Sequence, residues 1–191
     1  MNIGLYFGSF NPVHTGHLII ANHIINFTET DEVWFVISPQ NPFKKRQNLI
    51  DSYDRLALVE LAIGDYDKLK PCTIEFNMPV PSYTIDTLTY LKEKYPDYNF
   101  KLIMGSDNLV NFHHWKNYDV ILKYYSILVY MRPGFEDVPY LNHKKITALK
   151  APLLEISSSF IRKLIKEGKS IRYLVPDAVY EEIVLSNLYK E

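Results

Sequence analysis

The stretch that decides the fold is residues 4–17, GLYFGSFNPVHTGH. It begins with an apolar run, continues with glycine, serine, asparagine and proline, and ends with two histidines three residues apart. Gly8 allows the backbone to come close to a ligand because it has no Cβ. Pro12 fixes the backbone just ahead of an apolar pattern with helical spacing. The sequence therefore predicts a strand, a tight turn and a helix that begins near Thr15 or Gly16.

The two histidines at this helix start indicate phosphate chemistry. The free N–H groups and the positive dipole end of a helix form an anion site. His14 and His17 lie about one turn apart, so both imidazoles can face that site. They can donate to phosphate oxygens and stabilise negative charge that develops in a transition state. The alternative is a pair of local hydrogen-bonding side chains, but the accompanying glycines, Ser9 and Pro12 favour a phosphate site.

Short apolar runs alternate with helical patterns along the rest of the chain, which implies βαβ units. We expect an α/β fold with a Rossmann-like, mostly parallel sheet flanked by helices and a helical C-terminal part. Ligands of such sheets bind beyond the carboxyl ends of the strands. The predicted strands are residues 3–7, 33–37, 73–76, 100–104 and 127–131, with an edge strand between Lys145 and Leu149. The predicted helices run from Thr15 or Gly16, from a Ser52 cap to Ile63, from a Thr84 cap over 85–95, over 117–123, from Ser157 to Gly168, and from Pro176 through Leu188.

Length and composition limit the function classes. A chain of 191 residues with no linker-like segment predicts a single domain over 1–191. Its 21 basic and 22 acidic residues nearly cancel, so we expect no nucleic-acid partner. The lone Cys72 excludes an intrachain disulfide. We see no leader peptide and no run of the ~20 apolar residues that a membrane span needs, so we expect a cytoplasmic protein. A homo-oligomer is compatible with this sequence.

The segment GSFNPVHTGH resembles the (T/H)xGH signature of the nucleotidyltransferase superfamily. That superfamily includes mononucleotide adenylyltransferases, phosphopantetheine adenylyltransferases and cytidylyltransferases. The resemblance implies that a phosphate oxygen attacks the α-phosphorus of a nucleoside triphosphate and that pyrophosphate leaves. It extends in order over nearly the whole chain.

Three further stretches resemble the nicotinate mononucleotide adenylyltransferase branch. They are PSYTIDTL at residues 81–88, MGSDNLVNFHHW at 104–115 and EISSSFIRKLI at 155–165. The branch implies transfer of the adenylyl group of ATP to nicotinate mononucleotide in NAD biosynthesis, giving deamido-NAD and pyrophosphate. The partners are then ATP and nicotinate mononucleotide. The form GSFNP, where bacterial members commonly read GGTFDP, also occurs in enzymes that accept both nicotinate and nicotinamide mononucleotides, so dual specificity is the first alternative.

The resemblance implies a role for each matching residue on the ATP side. His14, His17 and Arg162 would act on the triphosphate. Hydroxyls at a helix start, with a guanidinium one turn further on, suit the β- and γ-phosphates and the departing pyrophosphate. The plain alternative for that segment is a serine N-cap with a solvated arginine. The residues expected to bind ATP are Gly8, Ser9, Phe10, His14, His17, Gly105, Asp107, Ser157, Ser158, Ser159 and Arg162.

On the acceptor side, the resemblance implies that N–H groups near Tyr83 and Thr84 receive the nicotinate carboxylate. Trp115 would stack on the pyridine ring. The mononucleotide phosphate would contact Ser9 and a lysine of the loop SPQNPFKK, which is Lys44 or Lys45. Lys44 also joins the catalytic set that stabilises charge, with His14, His17 and Arg162.

The expected mechanism is in-line displacement with no covalent enzyme intermediate, because the attacking phosphate is already an anion. Positioning and charge stabilisation supply the catalysis. Magnesium is expected to arrive with ATP and to be held largely by phosphates and water, so no protein metal site is predicted. The remaining alternatives are a phosphopantetheine adenylyltransferase, a cytidylyltransferase, an aminoacyl-tRNA synthetase fragment, and a nucleotide-binding module without catalysis.

Overall fold

One parallel sheet organises the fold. The computed structural model describes residues 1–39, 49–152 and 154–190, and within these ranges six strands pair in the order β3-β2-β1-β4-β5-β6. The order reverses at β1 and β4, which is the switch point where such sheets bind ligands. The strands are β1 (Asn2–Gly8), β2 (Glu32–Ile37), β3 (Leu69–Cys72), β4 (Asn99–Gly105), β5 (Ser126–Tyr130) and β6 (Ile146–Leu149).

Helices cover both faces of this sheet. A single-turn 3₁₀ helix follows β3, and a second precedes Trp115. The α-helices are α1 (Thr15–Phe27), α2 (Ser52–Ile63), α3 (Thr84–Lys94), α4 (Ser106–Val110), α5 (Tyr118–Tyr124), α6 (Ser158–Lys166) and α7 (Asp177–Leu185), and the 3₁₀ helices are Ile74–Asn77 and Phe112–His114.

The core lies in two layers, one on each side of the sheet. One layer contains Ile24 of α1, Leu58 of α2 and Ile161 of α6, and the other contains Leu88 of α3 and Ile121 of α5. Parallel strands covered on both faces read as nearly continuous apolar runs. This is why the central strands could be predicted from the sequence more reliably than the edge strand β3.

The predicted α/β fold with its parallel sheet and edge strand is confirmed, but three local predictions are wrong. The strand expected at 73–76 lies at Leu69–Cys72, and Ile74–Asn77 is the 3₁₀ helix. Lys70 and Pro71 do not fit the apolar pattern of a buried strand, so the sequence did not predict one there. The strand forms because it lies at the edge of the sheet, where a proline is tolerated.

The other two errors concern helix caps. Asp51, and not Ser52, caps α2, because its Oδ1 accepts from the Tyr53 N–H at 2.8 Å. Tyr83, and not Thr84, is the N-cap of α3, so Thr84 is its first helical residue. Helix α4 was not predicted at all. None of the helices in the described ranges is long and apolar enough to cross a membrane.

The close packing of β1 against β4 gives a stability prediction. A Cβ added at Gly4 would lie 2.7 Å from Ile103 Cδ1 and 3.2 Å from Thr30 Cγ2. We expect Gly4→Ala to lower the free energy of unfolding by about 1–3 kcal/mol through overpacking. Glu93→Ala, on the exposed face of α3, should change it by no more than about 0.5 kcal/mol. Urea unfolding of the three proteins measures this, and equal midpoints for all three would contradict it.

Candidate active site

The turn between β1 and α1 has an unusual backbone. Phe10 has a φ of 45°, and the Asn11–Pro12 peptide bond is cis. A left-handed φ costs a phenylalanine energy, and burial of its ring offsets that cost. The ring is 2 % exposed and packs against Tyr6 and Phe35 with centroids 5.8 and 5.2 Å away. The ring therefore belongs to the core, and it also packs edge-on against the His17 ring with centroids 5.1 Å apart.

His14 and His17 come together as predicted. Their rings stack with centroids 3.6 Å apart. The His14 backbone N–H donates to Nδ1 of His17 at 3.2 Å. A neutral His17 therefore carries its proton on Nε2, because Nδ1 accepts. Helix α1 begins at Thr15 with His14 as N-cap, which confirms the predicted helix start.

His14 is a neutral, buried imidazole. Only 6 % of the residue is exposed, and its Nδ1 has no hydrogen-bond partner among the described residues. Burial, together with the charge of Arg132, lowers the pKa of His14 to about 4. At neutral pH the ring carries no charge, so it can act as a hydrogen-bonding group and not as a fixed cation.

Helix α6 is bound directly to this turn. Ser158 Oγ donates to the Pro12 carbonyl at 2.8 Å, and Arg162 Nη1 donates to the Asn11 carbonyl at 2.6 Å. Ser157 caps the helix by accepting from the Phe160 N–H at 3.2 Å, which is the serine cap of the plain alternative, whereas Arg162 is not simply solvated, because it donates to the turn. The serine cluster and Arg162 therefore lie against the histidine turn, although about 150 residues separate them in sequence.

Two cavities open at the carboxyl edge of the sheet, and Tyr6 and Tyr130 line both. We call them the histidine cavity and the tryptophan cavity. Of the predicted site residues, the histidine cavity is lined by His14, His17, Asp107 and Ser157. The tryptophan cavity is lined by Gly8, Tyr83, Thr84, Gly105 and Trp115. The predicted residues that line neither are Ser9, Phe10, Ser158, Ser159 and Arg162. Lys44 and Lys45 lie outside the described residues.

A polar chain runs from the wall that the cavities share into the histidine cavity. Tyr6 donates its hydroxyl hydrogen to the Tyr130 hydroxyl at 3.4 Å, and Arg132 Nη2 donates to the same oxygen at 3.2 Å. Arg132 Nε lies 3.2 Å from Asp107 Oδ1. A Cβ on Gly105 would come within 2.3 Å of that carboxylate oxygen and 2.8 Å of Arg132 Nε. The glycine of GSD is therefore needed for the ion pair.

Sequence reasoning missed three charged residues of this region. Arg132 follows the predicted strand at 127–131 directly and matched no motif in the sequence. Glu75 fell in a strand that does not exist. Arg55 is 1 % exposed and donates to the carbonyls of Ser9 at 2.7 Å and Ser38 at 2.9 Å. One signal could have found it, because Arg55 falls on the apolar face of α2 with Leu58 and Val59.

Comparison with known families agrees with this geometry. The model of the family described as Cytidylyltransferase-like matches residues 5–164. The match assigns the chain to the nucleotidyltransferases, and the α/β sheet with cavities at its carboxyl edge is compatible with that class. A structure described as "Plasmodium falciparum nicotinic acid mononucleotide adenylyltransferase complexed with NaAD" has the same fold, with a TM-score of 0.82 and 23 % identity over 98 % of this chain and 97 % of that one.

Curated relatives narrow the class. A Flavobacterium psychrophilum protein named "Probable nicotinate-nucleotide adenylyltransferase" is 53 % identical over the full length of both chains. A Cytophaga hutchinsonii protein of the same name is 53 % identical over 99 % of this chain and 98 % of its own. The chain therefore belongs to the family of nicotinate-nucleotide adenylyltransferases.

The lowered pKa of His14 gives a prediction for stability against pH. The unfolded chain binds a proton at His14 near pH 6.5, whereas the folded chain binds it only near pH 4. Stability from this group is therefore complete above about pH 6.5 and is lost as the pH falls towards 4. We expect a loss of about 2 kcal/mol between pH 7 and 5.

Urea unfolding at several pH values measures this loss. His14→Asn cannot titrate, so its stability should depend less steeply on pH over the same interval. Identical slopes for the variant and the native protein would contradict the neutral, buried state of His14.

Proposed function

We propose that this chain transfers the adenylyl group of ATP to nicotinate mononucleotide, giving deamido-NAD and pyrophosphate in NAD biosynthesis, and that the whole chain acts as one nucleotidyltransferase domain. The observation that carries the proposal is the pair of cavities at the switch point of the sheet. They share the wall of Tyr6 and Tyr130, so two substrates can meet at the histidine turn. The full-length identity with named relatives supports the same substrates.

ATP occupies the histidine cavity in this proposal. His17, with its proton on Nε2, contacts the α-phosphate, and His14 supplies a second neutral donor beside it. The start of α6 holds the β- and γ-phosphates through Ser157 and Ser159, whose hydroxyl oxygens lie 3.0 Å apart. A guanidinium has five N–H groups, so Arg162 can contact phosphate while one N–H donates to Asn11. Asp107, which lines this cavity, contacts the ribose, and Gly105, which lines the neighbouring tryptophan cavity, contacts the same ribose from where the two cavities adjoin.

Nicotinate mononucleotide occupies the tryptophan cavity. Trp115 is half-buried there and offers its ring to the cationic pyridinium. The first-turn N–H groups of α3, at Thr84 and beyond, form the seat for the nicotinate carboxylate. Ser9 and a lysine, Lys44 or Lys45, receive the 5′-phosphate that attacks. The carbonyl of Ser9 is bound by Arg55, which supports a fixed position for this residue.

The chemistry requires positioning and charge stabilisation and no covalent intermediate. The phosphate nucleophile is already ionised, so no strong base is needed. Cys72 is unsuited to attack, because burial raises the pKa of its thiol. As the bond to pyrophosphate breaks, negative charge grows on the oxygens contacted by His14, His17 and Arg162, and Lys44 joins this set. Their hydrogen bonds strengthen in the transition state.

The residues present fit a magnesium ion carried by ATP. In the part of the chain that the structure describes, no three His, Cys, Asp or Glu side chains cluster as a metal site. Asp107 offers one carboxylate, and it already contacts Arg132. Magnesium bound mainly by phosphates and water needs no more than this. It would neutralise phosphate charge as pyrophosphate departs.

The partners in this proposal are small molecules, in a cytoplasmic reaction. Nucleic acid and membrane lipid have no part in it, and a homo-oligomer remains compatible with it. The test is pyrophosphate release from ATP and magnesium with nicotinate mononucleotide, nicotinamide mononucleotide or phosphopantetheine offered in parallel. We expect release with nicotinate mononucleotide. Release with phosphopantetheine alone would contradict the proposal. So would the absence of release with all three acceptors.

A second prediction concerns His17. His17→Ala removes a donor that acts on the α-phosphate in the transition state, so kcat should fall by about 10²–10³. The KM for nicotinate mononucleotide should change little, because that substrate lies in the other cavity. His23→Ala, on the same helix and stacked on Phe27, is the matched control and should keep native kcat. An unchanged kcat for His17→Ala would overturn the role given to His17.

A further inference from the structure

Glu75 is a buried carboxylate beside the acceptor site. It lies in the 3₁₀ helix Ile74–Asn77 and is only 2 % exposed. Carboxylates are almost never buried to this extent unless hydrogen bonds or charges compensate them. Ser82 Oγ donates to Glu75 Oε2 at 2.6 Å, and Thr87 Oγ1 donates to Glu75 Oε1 at 2.8 Å. Each carboxylate oxygen therefore holds one hydroxyl.

The two donors lie on opposite sides of the start of α3. Ser82 precedes the N-cap Tyr83, and Thr87 is the fourth residue of the helix. The carboxylate therefore bridges the point where the chain enters the helix. The N–H groups of the first turn lie between the two anchored residues. Their direction depends on how the Ser82 and Thr87 backbones are held.

This arrangement opens onto the tryptophan cavity. Glu75, Ser82, Tyr83 and Thr84 line it together with Trp115. Both hydroxyl donors are themselves buried, Ser82 at 8 % and Thr87 at 0 % exposed, so water does not compete for the two hydrogen bonds. Short hydrogen bonds to a charged acceptor are stronger than neutral ones. The anchor is therefore stiff, whereas a helix start on the surface would fray.

The negative charge of Glu75 has a cost for the proposed binding of a carboxylate nearby. A buried negative charge next to a seat for a carboxylate weakens binding by Coulomb repulsion. An uncharged anchor would avoid that cost. The hydrogen-bonding geometry must therefore contribute more than the repulsion takes away, if the seat binds a carboxylate.

We infer that Glu75 is a positioning residue, which aims the first-turn N–H groups of α3 at the nicotinate carboxylate and so sets the preference for the acid over the amide. The inference rests on the proposed function. It assigns no contact with substrate to Glu75 itself. The effect passes through Ser82, Thr87 and the helix start.

The test is steady-state kinetics on the full chain with ATP, nicotinate mononucleotide and nicotinamide mononucleotide. Glu75→Gln keeps the size of the side chain but leaves only one carbonyl oxygen for two hydroxyl donors. We expect the KM for nicotinate mononucleotide to rise by at least about fivefold. The KM for ATP should stay within about twofold. The KM for the amide, or its inhibition constant where it is not turned over, should change less than that for the acid. The matched control is Glu93→Gln, on the exposed side of α3, which should behave like the native protein.

Other outcomes separate the competing explanations. A lower KM for the acid in Glu75→Gln would show that repulsion dominates, and would overturn the positioning role. A parallel rise for ATP, acid and amide with a lower melting temperature would show a purely structural role, and would also overturn it. If Glu75→Gln does not fold, Ser82→Ala, which removes one donor only, carries the same test.

Failure of this inference differs from failure of the proposed function. Native protein that releases no pyrophosphate with nicotinate mononucleotide contradicts the function. Native protein that does so, with Glu75→Gln and Ser82→Ala kinetically equal to it, contradicts only the role of Glu75.

Discussion

The active-site turn keeps its shape because side chains from distant helices donate to its backbone carbonyls. Arg55 of α2 holds Ser9, while Arg162 and Ser158 of α6 hold Asn11 and Pro12. A carbonyl pointing at a phosphate would repel it, so binding these oxygens on the protein side leaves the opposite side of the turn to donors. The buried Arg55 is costly to desolvate, and burial lowers its pKa. In return, the Arg55 guanidinium joins the backbone at Ser9 to the backbone at Ser38.

The same edge of the sheet separates the two cavities. Tyr6 and Tyr130 form a wall between two cavities, and their hydroxyls join a polar chain that ends at Asp107. Burial raises the pKa of Tyr6 well above its usual value, so Tyr6 stays neutral and adds no charge to either cavity. A rigid partition of this kind suits a direct displacement, in which the two reacting phosphates must approach in line and the rest of each substrate must stay apart.

Local sequence pattern predicted the elements and the motifs, because each is written in consecutive residues. The helix start at Thr15 and the parallel sheet are confirmed, and Ser157 is the N-cap that the plain alternative for its segment expected. Tertiary contacts were beyond its reach. Nothing around Arg162 in the sequence predicts its hydrogen bond to the Asn11 carbonyl. Pro71 argues against a strand in the sequence, and β3 forms only through its pairing with β2. Arg55 and Glu75 share one reason for being missed, since a charged residue reads as exposed until the fold shows what it binds.

The charged and titratable residues around this site have two different roles. Arg55 and Glu75 are nearly fully buried. Arg55 donates to backbone carbonyls and Glu75 accepts from two hydroxyls, so both hold neighbouring backbone in a fixed orientation. His14 and His17 line the histidine cavity, and His14 is uncharged at neutral pH. A neutral imidazole gains proton affinity as nearby negative charge grows, so its interaction is strongest when the bond to pyrophosphate breaks. In the proposed reaction, buried charges such as Arg55 hold the turn in place, and the neutral imidazole of His14 responds to the charge that develops, alongside the cations Arg162 and Lys44.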